Sequence, residues 1–248
     1  MNYWKRVRKV LRKSNVVIEV VDARFAEEMR NKELEESCVR ADKKILLAIN
    51  KCDLLEKHEA LALSKKLSKE SDTVLVSAKK RIGKYRIKKF LGTIAKKRKV
   101  IVGVIGYPNT GKSSLINYLA GRKSARTSII AGFTRGEQLI RLTEEIMMVD
   151  TPGVLPFFKG GETKLALLAA KNPQALSDPT IAAKKILQQL GQKKIEQEFG
   201  VKQVGYDYDK LLEQIAIAKK RLKKGGVADV QTMAKKIILD WQKGKFSN

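Results

Sequence analysis

Within this chain of 248 residues, the segment with the clearest chemical meaning is Gly106-Tyr107-Pro108-Asn109-Thr110-Gly111-Lys112-Ser113. Glycines let backbone N–H groups curl around phosphate oxygens at a helix N-terminus, Lys112 brings a point charge to the β- and γ-phosphates, and the Ser113 hydroxyl can ligate Mg2+. Asn109, Thr110, Gly111, Lys112, Ser113 and Ser114 are the expected phosphate-binding residues. A phosphate loop does not choose between adenine and guanine. Asn50-Lys51-Cys52-Asp53 does, because a carboxylate accepts two hydrogen bonds from guanine N1 and N2 and would face no such donor pair on adenine. Asp53 is therefore the expected specificity residue, with Asn50 bracing loop and base and the Lys51 stem covering the ring. Ser77-Ala78-Lys79 would bring the Ala78 N–H to guanine O6. In Asp150-Thr151-Pro152-Gly153 the aspartate can hold Mg2+ through water while the Gly153 N–H senses the γ-phosphate. The implied cofactors are GTP or GDP with Mg2+.

Chemistry of this kind needs a scaffold that delivers each loop to one place. Short apolar runs precede the motifs: Val16 to Val21, Ile45 to Ile49, Thr73 to Val76, Val100 to Ile105, Gln138 to Leu142 and Ile146 to Val149. Most are apolar throughout rather than alternating, as strands buried on both faces of a parallel sheet are. Helical stretches lie between them, at about 56 to 70, at 83 to 97 with Ile87, Phe90, Leu91 and Ile94 in phase, and at Ser114 to Ala120. The pattern predicts an α/β domain with a doubly wound, mostly parallel sheet over residues 1–158. It opens with a basic helix at 1–13 whose Trp4, Val7 and Leu11 share a face. Residues 159–248 read as helices alone. Asp178-Pro179 opens one that Gly191 stops after Leu190. Leu211, Leu212, Ile215 and Ala218 mark a second. Asp229 caps a third, whose stripe from Val230 through Met233, Ala234, Ile237 and Ile238 to Trp241 belongs in a core.

The guanine motifs come before the phosphate motifs, the reverse of the order in Ras-like GTPases. In that order, and in Asp22-Ala23-Arg24 followed by Asn50-Lys51-Cys52-Asp53, the chain resembles the circularly permuted GTPases of the YlqF/RbgA/YawG family. The tail from Lys223-Lys224-Gly225-Gly226 to Leu239-Asp240-Trp241-Gln242 is similar to the end of the same proteins, so the resemblance spans roughly 15 to 245. It implies a P-loop GTPase domain followed by a small all-helical domain that binds RNA or ribosome. It also implies a switch in ribosome assembly, mostly of the large subunit, with ribosomal RNA and a subunit precursor as partners. By the same resemblance Thr134, in Ala131-Gly132-Phe133-Thr134, joins the Mg2+ shell when GTP is bound, although relatives usually have Pro at the position of Ala131. Ser113, Thr134 and Asp150 would then serve Mg2+. Val154 stands where Ras has its water-orienting Gln and cannot orient water, a hydrophobic choice typical of the permuted group. Asn109 sits where potassium-stimulated relatives use an Asn to help hold K+, a cation that would offset developing charge as an arginine finger does. Lys112, Thr134 and Asn109 form the expected catalytic set, with hydrolysis slow until K+ or a ribosomal particle stimulates it. Bacterial relatives are argued to use a histidine near the N-terminus. No histidine precedes His58 here, and His58 is given no role.

Charge agrees with a polyanionic partner. The chain carries 52 Lys+Arg against 26 Asp+Glu, a net +26, with 43% hydrophobic residues, enough for a folded globule. Residues 1–13 hold six basic and no acidic residues, residues 79–99 eleven and none, and residues 159–248 eighteen against nine. These three stretches account for the whole surplus, while the remaining segments balance at 17 to 17. Those remaining segments hold every nucleotide motif except Lys79, so the nucleotide machinery is otherwise neutral and its flanks are an expected RNA-facing surface. Cys38 and Cys52 are too few for a disulfide framework or a four-thiolate metal site. No run reaches the roughly 18 to 20 apolar residues of a membrane span, and the N-terminus lacks a secretory apolar core. The expectation is a cytoplasmic protein with no membrane partner, monomeric off the ribosome. Two competing readings are a constitutive RNA-binding scaffold with a structural nucleotide and a GTPase acting on tRNA.

Overall fold

The computed structural model describes residues 3–96, 98–121, 138–150, 161–202, 205 and 207–247. The chain divides into two compact units, Met1–Phe157 and Phe158–Asn248.

The first unit runs α1 (Tyr3–Lys13), β1 (Val16–Asp22), α2 (Ala26–Met29), α3 (Lys32–Arg40), β2 (Lys44–Asn50), α4 (Lys57–Leu67) and β3 (Thr73–Leu75). It continues with α5 (Lys84–Ala95), β4 (Val100–Ile105), α6 (Lys112–Ala120), β5 (Gln138–Arg141) and β6 (Ile146–Asp150). Six strands form one sheet in the order β3-β2-β1-β4-β6-β5, all parallel except β5, which runs antiparallel to β6. This is the expected doubly wound sheet. Its central strand β1 is buried at every residue. Val16, Ile18 and Val20 pack with Ile87 and Leu91 of α5 and Leu115 and Leu119 of α6 on one face, while Val17 meets Val7 and Leu11 of α1 and Leu34 and Cys38 of α3 on the other. Parallel strands end at a common edge, and here that edge brings Asp22, Asn50, Ile105 and Asp150 to one side of the sheet, with Asp22 opposite Asn50 and Val104 opposite Asp150.

One residue of β1 breaks the apolar pattern. The Glu19 carboxyl is buried; its Oε1 accepts the Asn31 N–H at 2.9 Å, and its Oε2 has no hydrogen-bond partner among the described residues. Burial pushes its pKa up to about 8, the Asn31 N–H works against this, the Glu35 charge adds to it and Arg30 opposes. Arg30 in turn is forked onto Glu35 at 2.6 Å and reaches Glu70 at 2.9 Å.

Helices α2 and α3 have no counterpart in the sequence reading. Residues 26–40 are dense in charge, and in α3 only Leu34 and Cys38 are buried. Two inward residues are too few for a periodic signal. The local logic is nonetheless simple, since Asn31 caps α3 by accepting the Leu34 N–H at 3.0 Å.

In the second unit the described helices are α7 (Gly161–Leu167), α8 (Pro179–Phe199), α9 (Tyr208–Ala218) and α10 (Val230–Gln242). Asp178 accepts the Thr180 N–H and opens α8 with Pro179 in its first turn. The helix breaks at Gly191, whose φ of 71° and ψ of 165° are not helical, and then resumes to Phe199. The sequence reading ends this helix at the glycine. The chain resumes because Ile195 and Phe199 return to the same core as Ile186, Leu187, Ile215, Ile237 and Ile238. The expected stripe on α10 lies in that core, and the Trp241 Nε1–H donates to the Leu167 carbonyl at 2.8 Å. Among the described residues no helix is long and apolar enough to cross a membrane.

Candidate nucleotide-binding site

Strand β4 hands the chain at Ile105 to the phosphate loop, and α6 begins at Lys112. Gly106 passes so close to β1 that a Cβ on it would lie 2.3 Å from the Val20 carbonyl oxygen. Asn109 and Gly111 both take left-handed backbone, with φ of 61° and 93°, which turns the chain into the helix. Gly111 is the N-cap of α6 and has no side chain to occupy the first-turn N–H groups, the arrangement that suits an anion. The Tyr107 carbonyl gathers the loop, accepting from Thr110 Oγ1 at 2.9 Å and from the buried Lys112 ammonium at 2.6 Å. A phosphate oxygen would replace that neutral acceptor with a charged one. Ser113 and Ser114 stand exposed in the first turn of α6.

The guanine-recognition segment follows β2 and is tied to this loop directly. Asn50, buried, donates from Nδ2 to the Thr110 carbonyl at 2.7 Å and accepts at Oδ1 from the Ala78 N–H at 3.2 Å. One amide therefore joins three motifs. Gly111 is required for this reach, because a Cβ there would meet Asn50 Nδ2 at 2.3 Å. The Ala78 N–H, expected at guanine O6, is here directed at Asn50 Oδ1, and the bracing by Asn50 links loop to loop. Ser77 is buried and accepts the Lys80 N–H at 3.0 Å, so it holds the loop in shape, while Lys79 is exposed.

Lys51 takes left-handed backbone at φ 60° and leads into the short 3-10 turn Cys52–Leu54 that carries Asp53. Asp53 Oδ1 is buried and has no hydrogen-bond partner among the described residues. A buried carboxylate oxygen without a donor is costly, and the N–H edge of guanine supplies what it lacks. The residues present therefore fit a guanine nucleotide.

The residue whose role sequence reasoning missed is Asp22. It appeared only as part of a family-like Asp-Ala-Arg element. In the structure it is fully buried and accepts from Arg24 Nε at 3.0 Å and Arg24 Nη2 at 2.8 Å, and it pairs with Lys51 Nζ at 2.7 Å. Burial alone would raise its pKa, yet the Arg24 hydrogen bonds and the Lys51 and Arg24 charges hold it below the usual carboxylate range. Asp22 thus anchors the far end of the side chain expected to cover the base. The signal available was its place in sequence, at the end of the strand beside β2.

Thr134 and Gly153 lie outside the described residues, as do the side chains of Trp4 and Asp150. The Asp150 backbone ends β6 beside the strand that feeds the phosphate loop. A serine hydroxyl and a carboxylate are hard oxygen donors, the chemistry Mg2+ takes. Cys38 and Cys52 are free thiols. His58 is an exposed residue of α4.

Fold and motif order together define a circularly permuted P-loop GTPase. A family model described as RsgA GTPase matches residues 11–157, more than half of the chain, and one described as 50S ribosome-binding GTPase matches residues 101–215. The chain belongs to the circularly permuted GTPases of the YlqF/RbgA type. It is 39% identical to an uncharacterized GTP-binding protein of Methanocaldococcus jannaschii, covering 98% of this chain and 65% of that one. It is 34% identical to nucleolar GTP-binding protein 2 of Pneumocystis carinii, covering 98% and 52%, and 32% identical to the protein of that name from Saccharomyces cerevisiae, covering 98% and 52%. The chain spans between about half and two thirds of the length of these relatives. Its fold is that of GNP-bound YlqF from T. maritima, with a TM-score of 0.69 at 24% identity over 98% of this chain and 94% of the other.

Proposed function

We propose that the chain is a GTP-hydrolysing switch that acts in assembly of the large ribosomal subunit through nucleotide-dependent binding to ribosomal RNA or a subunit precursor. The observation that carries this reading is the Asn50 clamp, which joins the guanine-recognition segment to the phosphate loop beside a buried Asp53 oxygen that has no partner among the described residues. Support for the ribosomal part comes from the family model described as 50S ribosome-binding GTPase and from the nucleolar GTP-binding relatives. In this reading Asp53 accepts from the base, Lys51 covers it and Lys112 meets the β- and γ-phosphates. Mg2+ when bound neutralises charge across those phosphates, with Ser113, Asp150 and Thr134 as its holders. Asn109, already in left-handed backbone at the phosphate loop, is the residue suited to K+. Val154 offers no group to orient water, so turnover is slow until K+ or the particle supplies the missing help.

Gly153 lies only a few residues before the second unit, which begins at Phe158. A γ-phosphate contact at Gly153 and Thr134 would therefore bias how that unit engages a particle, and hydrolysis would release it. Co-sedimentation with separated ribosomal subunits under GTP analogue, GDP and no nucleotide tests this, together with turnover in KCl and NaCl. The expected result is analogue-dependent binding to the large subunit and K+-stimulated hydrolysis. Equal binding in all three states makes the chain a constitutive scaffold, and binding to neither subunit removes the ribosomal role. Asp53→Asn, which exchanges an acceptor for a donor, is expected to weaken GTP binding by tenfold or more.

A further inference from the structure

We propose that the exposed stripe of α5, with the groove beside it, binds single-stranded RNA, one base on Tyr85 and the strand's phosphates along Lys89, Gly92 and Lys96. The reading above supplies the presence of RNA and the basic stretch 79–99; what is added here is the particular stripe and groove within it, the stacking ring and the strandedness of the ligand.

Three observations meet on this helix. The first is uncompensated charge. Residues 79–99 contain eleven basic and no acidic residues, and among the described residues none of them forms an ion pair. Lys84 donates to the Tyr118 carbonyl at 3.0 Å, and its pKa is lowered first by burial and then by the like charges of Lys88 and Arg81. Such a cluster gains from an external polyanion.

The second is an exposed aromatic ring. Tyr85 is 76% exposed and Ile82, just before the helix, is 47% exposed. With Leu55, Leu61 and Leu75 they border a groove of about 590 Å3 that also reaches Cys52 and Asp53 but takes no lining residue from the phosphate loop. A purine or pyrimidine has the flat apolar faces that such a wall accepts, and base stacking on an exposed aromatic beside basic residues is how single strands are held. An acidic peptide would match the charge but not the ring.

The third is Gly92. It sits inside α5, exposed, with ordinary backbone, and a Cβ on it would meet nothing within 4 Å among the described residues. Neither conformation nor packing asks for glycine, and the helix is weaker for it. Tyr85, Lys89 and Gly92 follow one another at helical spacings and Lys96, the C-cap, follows in left-handed backbone at φ 35°, a stripe roughly 16 Å long. A bare turn in its middle lets a phosphodiester chain approach the helix surface between two lysines.

The test measures binding of the full chain to a fluorescent short oligouridylate by anisotropy, with an RNA duplex of equal length and polyglutamate as competitors. Tyr85→Ala is expected to weaken binding by fivefold or more, Tyr85→Trp to keep or tighten it, and the double variant Lys89→Glu, Lys96→Glu to weaken it by tenfold or more. All three are expected to bind GTP analogue like the wild type, which establishes that they fold. Gly92→Ala is expected to raise thermal stability while lowering RNA affinity, a pair of signs that a purely structural glycine would not give. Tyr85→Ala within twofold of wild type, or polyglutamate or duplex competing as well as the single strand, overturns the proposal while leaving the ribosomal reading intact. A wild-type chain that binds no RNA removes both.

Discussion

At the scale of single residues, the buried carboxyl of Glu19 makes an unusual demand. An unfolded chain releases its proton near the ordinary value of 4.5, whereas the folded chain keeps it until about 8. The folded state therefore holds more protons between those values, and the stability present below the lower one is lost as pH rises through the upper one. The loss is on the order of a few kcal/mol. Glu19→Gln does not titrate, so it is expected to gain on the wild type in urea denaturation as pH goes from about 5.5 to about 9. An unchanged difference at the two values would show that Glu19 carries no proton into the neutral range. In sequence Glu19 draws no notice, because it stands inside the run Val16 to Val21 that reads as a buried strand. Asp53, by contrast, was legible at once as a candidate, because its expected role depends on the chemistry of one side chain and the strand before it. The Asn50 clamp was not: its two partners, at positions 78 and 110, are brought together only by the sheet.

Between elements, Asp22 is where β1, the turn after it and the guanine segment after β2 are fastened. Its carboxylate is the anion for both Arg24 and Lys51. Asp22→Asn leaves two cations facing each other in a buried place, and the expected cost is about 3 kcal/mol. Because the folded pKa is depressed, the wild-type advantage is present above the ordinary aspartate range and is lost as pH falls through the folded value. The variant should therefore approach wild-type stability in acid and fall furthest behind at neutral pH. GTP affinity is expected to drop about tenfold as Lys51 loses its anchor, roughly 1.4 kcal/mol. An affinity change without the stability change would place Asp22 in the site rather than beneath it. The elements themselves were legible where apolar residues recur: β1, β2, β4, α5 and α10. They were hidden where charge covers a short helix, as in α3, and where tertiary packing carries a helix past its own stop at Gly191.

For the molecule as a whole, charge and nucleotide chemistry are segregated along the chain, and salt should separate them. RNA affinity is expected to fall by more than roughly a hundredfold between 50 and 200 mM KCl if six or more phosphates are contacted. Nucleotide affinity at fixed Mg2+ should change far less, because the segments that bind it are balanced in charge. Parallel titrations of a labelled oligonucleotide and a labelled GTP analogue would decide it, and equal slopes would mean the basic stretches do not form an RNA surface. In a Ras-like chain the guanine half comes last and the phosphate half first, so the connection through α5 into β4 is where such a chain would have its two free ends. Here α5 is the splice between them, with Ala78 shortly before it and Val100 shortly after. A load applied to that splice is shared by both halves of the nucleotide site, whereas in the unspliced order it would pull on a loose terminus.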